Sequence, residues 1–257
     1  MIPAVPVAAP EISVRLTATI LVTQFTCPFL RHVLYGVKQP LPFMGTRRRF
    51  GNLVHAAIAE YERHGRSLDH ALRVVDEQAA GLTAEDLDEA RSILTWRHER
   101  RRDDGRKAFL IEGPLRTAIG EHRLDVRMDR LDVGDGGRVL VEYKGGKRVD
   151  LDLVRVQLAV LAYAVERVLG EAPVSWEVEV LRARKVVEVP AETDAVALRE
   201  FTGGLAESVA RGDKEPQPYD PAFCRRCPAR SYCPRATPNP KPLAARSDAR
   251  EVQLALF

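Results

Sequence analysis

The chain has 257 residues, 45% of them hydrophobic and 29% charged, with a formal net charge of only +3. No apolar run approaches the roughly 20 residues needed to cross a bilayer, and the opening MIPAVPVAAP has neither a basic n-region nor an apolar h-region, which argues against a membrane span and a secretory signal. A cytoplasmic globular protein is expected, long enough for one large domain with an appendage.

Residues 1–11, rich in Pro, Ala and Val, are expected to be disordered, with an ordered domain over 12–236 and a flexible tail over 237–257. A helix is predicted to start around Thr17 to Thr19 and to carry Gln24, Phe25, Cys27 and Phe29 on to Tyr35. A basic loop containing Arg47, Arg48 and Arg49 follows. The next helix runs from Phe50 to His64 and buries Leu53, Val54, Ala57, Ile58 and Tyr61; Gly51 and His55, four apart, share a face, the glycine leaving room around the imidazole. Two more helices, Leu68 to Ala80 and Ala84 to Arg102, present Leu87, Ala90, Ile93 and Leu94 to a core and their charges to solvent. Strand character returns at Phe109 to Glu112, breaks at Gly113-Pro114 and resumes to Ile119.

The stretch from Arg123 to Lys147 organises the rest. Two alternating runs flank Gly134-Asp135-Gly136-Gly137, a hairpin signal. If those four residues form the loop, Val133 pairs with Arg138 and Asp129 falls opposite Glu142. Lys144 shares the Glu142 face, while Val141 and Tyr143 point away. Opposed acids destabilise a sheet unless a cation intervenes, here Lys144 or a bound metal. Gly145-Gly146 would let a phosphate approach the backbone. Asp150 is read as the N-cap of a helix ending near Gly170, with Leu153, Gln157, Val160 and Ala164 on one face; a glutamine in that stripe needs a polar partner if buried. Strands at Ser175 to Leu181 and Val186 to Val189, joined by a basic turn, precede a helix from Asp194 to Arg211. The expected fold is α/β or α+β, a mixed central sheet flanked by helices.

Asp129 followed by Glu142-x-Lys144 after a hairpin resembles the PD-(D/E)xK nuclease superfamily, although the proline of the first motif is absent. GNLVH over 51–55 resembles the Gly-x-x-x-His motif of RecB-type nuclease domains, which places His55 at the metal. Gln157 resembles the glutamine of the Gln-x-x-x-Tyr motif, but Leu161 stands where the tyrosine belongs, so Tyr163 is left unassigned. Glu112 is a further acid, because related domains often carry one in the preceding strand. The resemblance implies a restriction-endonuclease-like core in which Asp129, Glu142, His55 and the Tyr143 carbonyl hold Mg2+ or Mn2+, with Asp129, Glu142, Lys144 and Gln157 in the catalytic set.

Three of the four cysteines fall in Cys224-x2-Cys227-x5-Cys233, with Cys27 far upstream. In a cytosolic chain such clustering reads as a metal site, and spacing alone does not separate zinc from an iron–sulfur cluster. The layout FTCPF then FCRRCPARSYCP resembles the iron–sulfur subgroup of RecB-like nucleases, which includes the AddB nuclease domain and the CRISPR-adaptation exonucleases. That implies a structural [4Fe–4S] cluster pinning the two ends of the domain through Cys27, Cys224, Cys227 and Cys233.

The tail ends in Gln253, Leu254, Ala255, Leu256 and Phe257, which resembles the bacterial sliding-clamp-binding peptide; the other reading is a tail folded back on its own domain. Arginines at 47–49, in the run from Arg97 to Arg102, and at 225, 226, 230 and 235 can contact phosphates, although such clusters also occur as solvated faces. The reading that follows is a metal-dependent deoxyribonuclease, a single-stranded DNA exonuclease in repair or recombination, with resemblance suggesting 5′-to-3′ action. Alternatives are a CRISPR spacer-processing nuclease with its adaptation partner or a helicase, a non-catalytic clamp-recruited scaffold, and a zinc-stabilised binding module.

Overall fold

The computed structural model describes residues 14–39, 41 and 45–243. The N-terminal segment and the clamp-like tail, with Gln253, Leu254, Leu256 and Phe257, lie outside them. In chain order the elements are β1 (Arg15–Thr17), α1 (Ala18–Thr26), α2 (Pro28–Arg31), α3 (Gly45–Arg63), α4 (Leu68–Glu77), α5 (Ala84–Arg101), β2 (Lys107–Ile119), β3 (His122–Gly134), β4 (Gly137–Lys144), α6 (Leu151–Leu169), β5 (Ser175–Val180), β6 (Lys185–Val189) and α7 (Ala195–Ala210). No helix among the described residues is long and apolar enough to cross a membrane.

The six strands form one mixed sheet. β3 is its spine. Antiparallel β2 runs along one edge of β3, while the other edge pairs first with parallel β1, at 123–125, and then with antiparallel β4, at 130–134. β5 lies parallel to β4 and β6 antiparallel to β5. One sheet face packs α1, α6 and α7 around Leu124, Val126, Met128, Leu140 and Trp176. The other packs α3, α4 and α5 on Val141 and Tyr143. Helices pack on both faces of the mixed sheet and bury most of β4 and β5 on both sides, the expected fold class.

Several elements depart from the sequence expectation for local reasons. The first helix stops at Cys27, whose extended backbone (φ −171°, ψ 119°) follows from preceding Pro28; the chain restarts as α2 and winds on as a π-helical turn over His32–Gly36. α3 begins at Gly45, so the basic stretch read as loop is helical. β2 runs unbroken through Gly113-Pro114, because β2 is an edge strand and Pro114 need not donate to an outer neighbour. Glu112 within it has φ +48°, a conformation that non-glycine residues adopt at a cost of about 1–3 kcal/mol and that concentrates at functional sites. α6 is bounded as its sequence suggests: the Asp150 side chain accepts from Leu153 N–H at 3.3 Å, and Gly170 ends the helix with φ +82°.

Candidate active site

The hairpin sets the site. Gly134 pairs with Gly137, which tightens the loop to Asp135-Gly136, and Val133 pairs with Arg138 as the alternation predicts. The same count through Arg130 and Val141 puts Asp129 level with Glu142, just past the last paired residues, where β3 and β4 splay apart. Asp129 Oδ2 accepts the Tyr143 backbone N–H at 2.6 Å, a bond that fixes the carboxylate across the splay. From α3, His55 Nδ1 approaches Asp129 Oδ1 at 3.2 Å and Glu112 Oε1 at 3.4 Å. Among the described residues, His55, Glu112 and Asp129 are the three whose ligand atoms all lie within 4.8 Å of one another.

Glu142 is built into a second group. Its Oε1 accepts from Lys144 Nζ at 3.0 Å and from Gln157 Nε2 at 2.7 Å, and Lys144 donates to Gln157 Oε1 at 2.7 Å. Gln157 therefore finds the polar partners its place in the apolar stripe of α6 demands. Tyr163 turns its hydroxyl to the Ala118 carbonyl at 2.8 Å. Gly51 does not serve as clearance for His55, since a Cβ there would meet nothing within 4 Å; the space it borders is shared with Gly145, whose added Cβ would lie 4.0 Å from the Gly51 Cα.

Electrostatics couple the two groups. Burial disfavours the Asp129 carboxylate, but His55, the Tyr143 N–H and Lys144 together hold it below its usual value. Burial likewise opposes a charged His55, yet Asp129 and Glu112 raise it to about 10. Glu142 is pushed up to about 7 by burial and by the charge of Asp129, with Lys144 offsetting only part. One imidazole nitrogen and two carboxylates converging on a point suit a hard divalent cation such as Mg2+ or Mn2+, which binds neutral imidazole and so competes with the His55 proton.

Behind this site lies a network that sequence reasoning missed. Arg97 and Arg101, read as solvated or phosphate-binding, are buried, because three acids from other elements receive them. Arg97 donates to Glu179 at 3.0 Å and to Glu62 at 2.8 Å, and Arg101 to Asp132 at 2.8 Å. Arg130 donates to Glu62 at 3.0 Å and to Asp132 at 3.0 Å. The Tyr143 hydroxyl takes Arg130 at 2.8 Å and Arg97 at 3.1 Å. The residue whose N–H holds Asp129 is thus anchored from its other face. The signal was present in charged residues at otherwise apolar positions, Arg130 and Asp132 in β3 and Glu177 and Glu179 in β5.

Cys27, Cys224, Cys227 and Cys233 line one cavity with Phe29, Pro218 and Phe223. No three of these thiols lie within 4.8 Å of one another. Burial pushes the Cys227 thiol up to about 11 and raises that of Cys27. The segment carrying them is tied to the start of α6, the helix that bears Gln157: Tyr219 donates its hydroxyl to Asp150 and its N–H to the Thr26 carbonyl at 3.1 Å, and Arg226 stands 3.5 Å from Asp150.

A mixed sheet between two helical layers, with acids, a lysine and a histidine gathered at the splayed end of its central hairpin, defines the restriction-endonuclease-like class. The model of the PD-(D/E)XK nuclease superfamily matches residues 15–234, and the chain belongs to that superfamily; it is a nuclease with a nucleic-acid substrate. No curated protein matches the sequence. Among solved structures, the chain is similar to SSO0001 (14% identity, 87% of each chain covered, TM-score 0.41). It is also similar to a candidate exonuclease of Eubacterium rectale (14% identity, 88% of this chain and 92% of that one covered, TM-score 0.49).

Proposed function

We propose that this nuclease is a Mg2+- or Mn2+-dependent exonuclease on single-stranded DNA ends, acting in repair or recombination in the cytoplasm. The observation that carries the reading is the convergence of His55, Glu112 and Asp129 on one point beside the Glu142–Lys144–Gln157 group. A divalent cation held by His55, Asp129, Glu142 and the Tyr143 carbonyl, with Glu112 added, would lower the pKa of an attacking water and offset charge on the phosphate. Tyr143 keeps Asp129 in place through its N–H. Lys144, steered by Gln157, orients the water and opposes the negative charge that builds on the phosphoryl oxygens.

The four thiols are assigned to a structural [4Fe–4S] cluster. The support for the assignment is that all four line one cavity and bring the two ends of the domain together. A cluster joining Cys27 to Cys224–Cys233 closes a loop of nearly the whole domain, and its binding free energy becomes folding free energy. The tail through Gln253, Leu254, Leu256 and Phe257 would recruit the enzyme to a sliding clamp; a helicase or CRISPR-adaptation partner is the alternative recruiter.

The test is degradation of end-labelled single-stranded DNA with Mn2+, Mg2+ or EDTA by wild type, Glu142→Gln and Lys144→Ala, all shown to fold. Metal-dependent cleavage lost in both variants supports the assignment. Inactive cluster-replete wild type, or equal cleavage by all three, defeats it.

A further inference from the structure

We propose that the arginine-bearing sheet face formed by β1, β3 and β2 is the track along which the substrate strand's phosphates lie on their way to the metal-binding residues. This deepens the nuclease reading and rests on it. The strand register builds the face in rows. Arg15 is level with Arg123, Arg116 with Asp125, and Pro114 with Arg127, and residues so paired point the same way. The alternate residues Leu16, Leu115, Leu124, Val126 and Met128 point to the opposite side, into the core. Four guanidiniums therefore project from one face, 37–73% exposed.

Asp125 organises them, standing 2.7 Å from Arg15, 2.8 Å from Arg123 and 3.9 Å from Arg116. Asp125 and, at Arg127, Glu112 offset part of this charge, but Arg116, 73% exposed, stands 3.9 Å from Asp125, so the face keeps an excess of guanidinium. The last of the four, Arg127, donates to Glu112 at 2.8 Å, and Glu112 is the acid that meets His55. The charge thus runs along β3 from Arg123 through Arg127 to Asp129 without a break, each step of two residues covering about 6.6–6.8 Å. The occupant follows from this chemistry. Apart from the arginines and Asp125, the rows hold Thr17, Pro114 and Ala118, so a protein partner finds no large apolar anchor, and a second copy would meet its own charge. Guanidinium forks in a row suit a phosphodiester backbone and are indifferent to base identity.

The experiment compares wild type, Arg116→Ala/Arg123→Ala and the control Arg91→Ala, which removes a charge from α5. Binding of a labelled 20-nucleotide strand in EDTA is followed by anisotropy across a salt series. Cleavage with Mn2+ is followed on strands shortened stepwise to a dinucleotide. The double variant is expected to lower the slope of log affinity against log salt by about 1.4, at about 0.7 per lost single-strand phosphate contact. Its cleavage deficit is expected to shrink as the substrate shortens, while Arg91→Ala keeps the wild-type slope. An unchanged slope in the double variant, or a deficit equal at every length, overturns the track while leaving the nuclease reading intact. A wild type that binds and cleaves no DNA overturns both.

Discussion

Glu62→Gln removes one charge from the buried network and leaves side-chain size unchanged. In the wild type the guanidiniums of Arg97, Arg101 and Arg130 face the carboxylates of Glu62, Asp132 and Glu179, every one of the six side chains at most 2% exposed. Glu62 Oε1 alone receives Arg97 at 2.8 Å and Arg130 at 3.0 Å, and its Oε2 stands 3.6 Å from Arg66. Two charge-assisted hydrogen bonds at about 1.5–3 kcal/mol each sum to about 3–6 kcal/mol. That agrees with the roughly 3–5 kcal/mol typical of removing one partner from a buried ion pair. The loss is expected in urea unfolding at pH 7, as a lower midpoint with unchanged m. The reasoning also demands a rescue. Adding Arg97→Met restores the balance at two guanidiniums against two carboxylates and fills the vacated volume, so the double variant should be more stable than the sum of the single losses by at least about 1 kcal/mol. A Glu62→Gln cost under about 1 kcal/mol, or strict additivity in the double, would refute the argument.

Gln157→Leu should cut cleavage about 10–100-fold with little change in melting temperature, as for groups that orient a metal site from behind; unchanged cleavage would remove Gln157 from the site. Asp104 gives a pH signature: burial works against its charge, but Arg106 and Arg101 hold its carboxyl down to about 2, against an ordinary value of 3.8. Its contribution of about 2 kcal/mol is present above the ordinary value and disappears as pH falls through about 2. The stability gap between wild type and Asp104→Asn should therefore close between pH 4 and pH 2, and a gap constant over that range would contradict the assignment. Cys27→Ser should lower the iron content and melting temperature of anaerobically purified protein, whereas stoichiometric zinc in colourless wild type would remove the cluster. Asp150→Ala should cost about 0.5–2 kcal/mol as a lost N-cap, and more if the Tyr219 and Arg226 contacts contribute, read by thermal unfolding.

The hairpin was legible because its signals are local. A Gly/Asp turn between alternating strands sets a register, and counting back along that register is enough to bring Asp129 level with Glu142. Helices α5, α6 and α7 were legible within a residue or two at each end. Cys27-Pro28 carried a readable break that the periodicity of the flanking segments obscured. What escaped was non-local. Pro114 is harmless because no strand among the described residues pairs with the outer edge of β2. Arg97 and Arg101 are buried only because acids on α3, β3 and β5 arrive to meet them, and no window of sequence contains those partners. Glu112 was noticed as an acid, but nothing in the residues around it signals its left-handed backbone, φ +48°.

The bonds from Tyr219 and Arg226 to Asp150 bear on the order in which the molecule is completed during synthesis. The chain leaves the ribosome N-terminus first, so the hairpin acids, Lys144 and Gln157 are all available while the thiol segment is still being made. Until about 75 further residues follow, α6 starts on Asp150 without those two contacts, and Cys27 lacks the three other thiols of its cavity. A candidate site whose supporting helix is secured by a segment near the far end of the domain is finished late. The nascent polypeptide spends that interval with the residues of the candidate site translated and their scaffold incomplete.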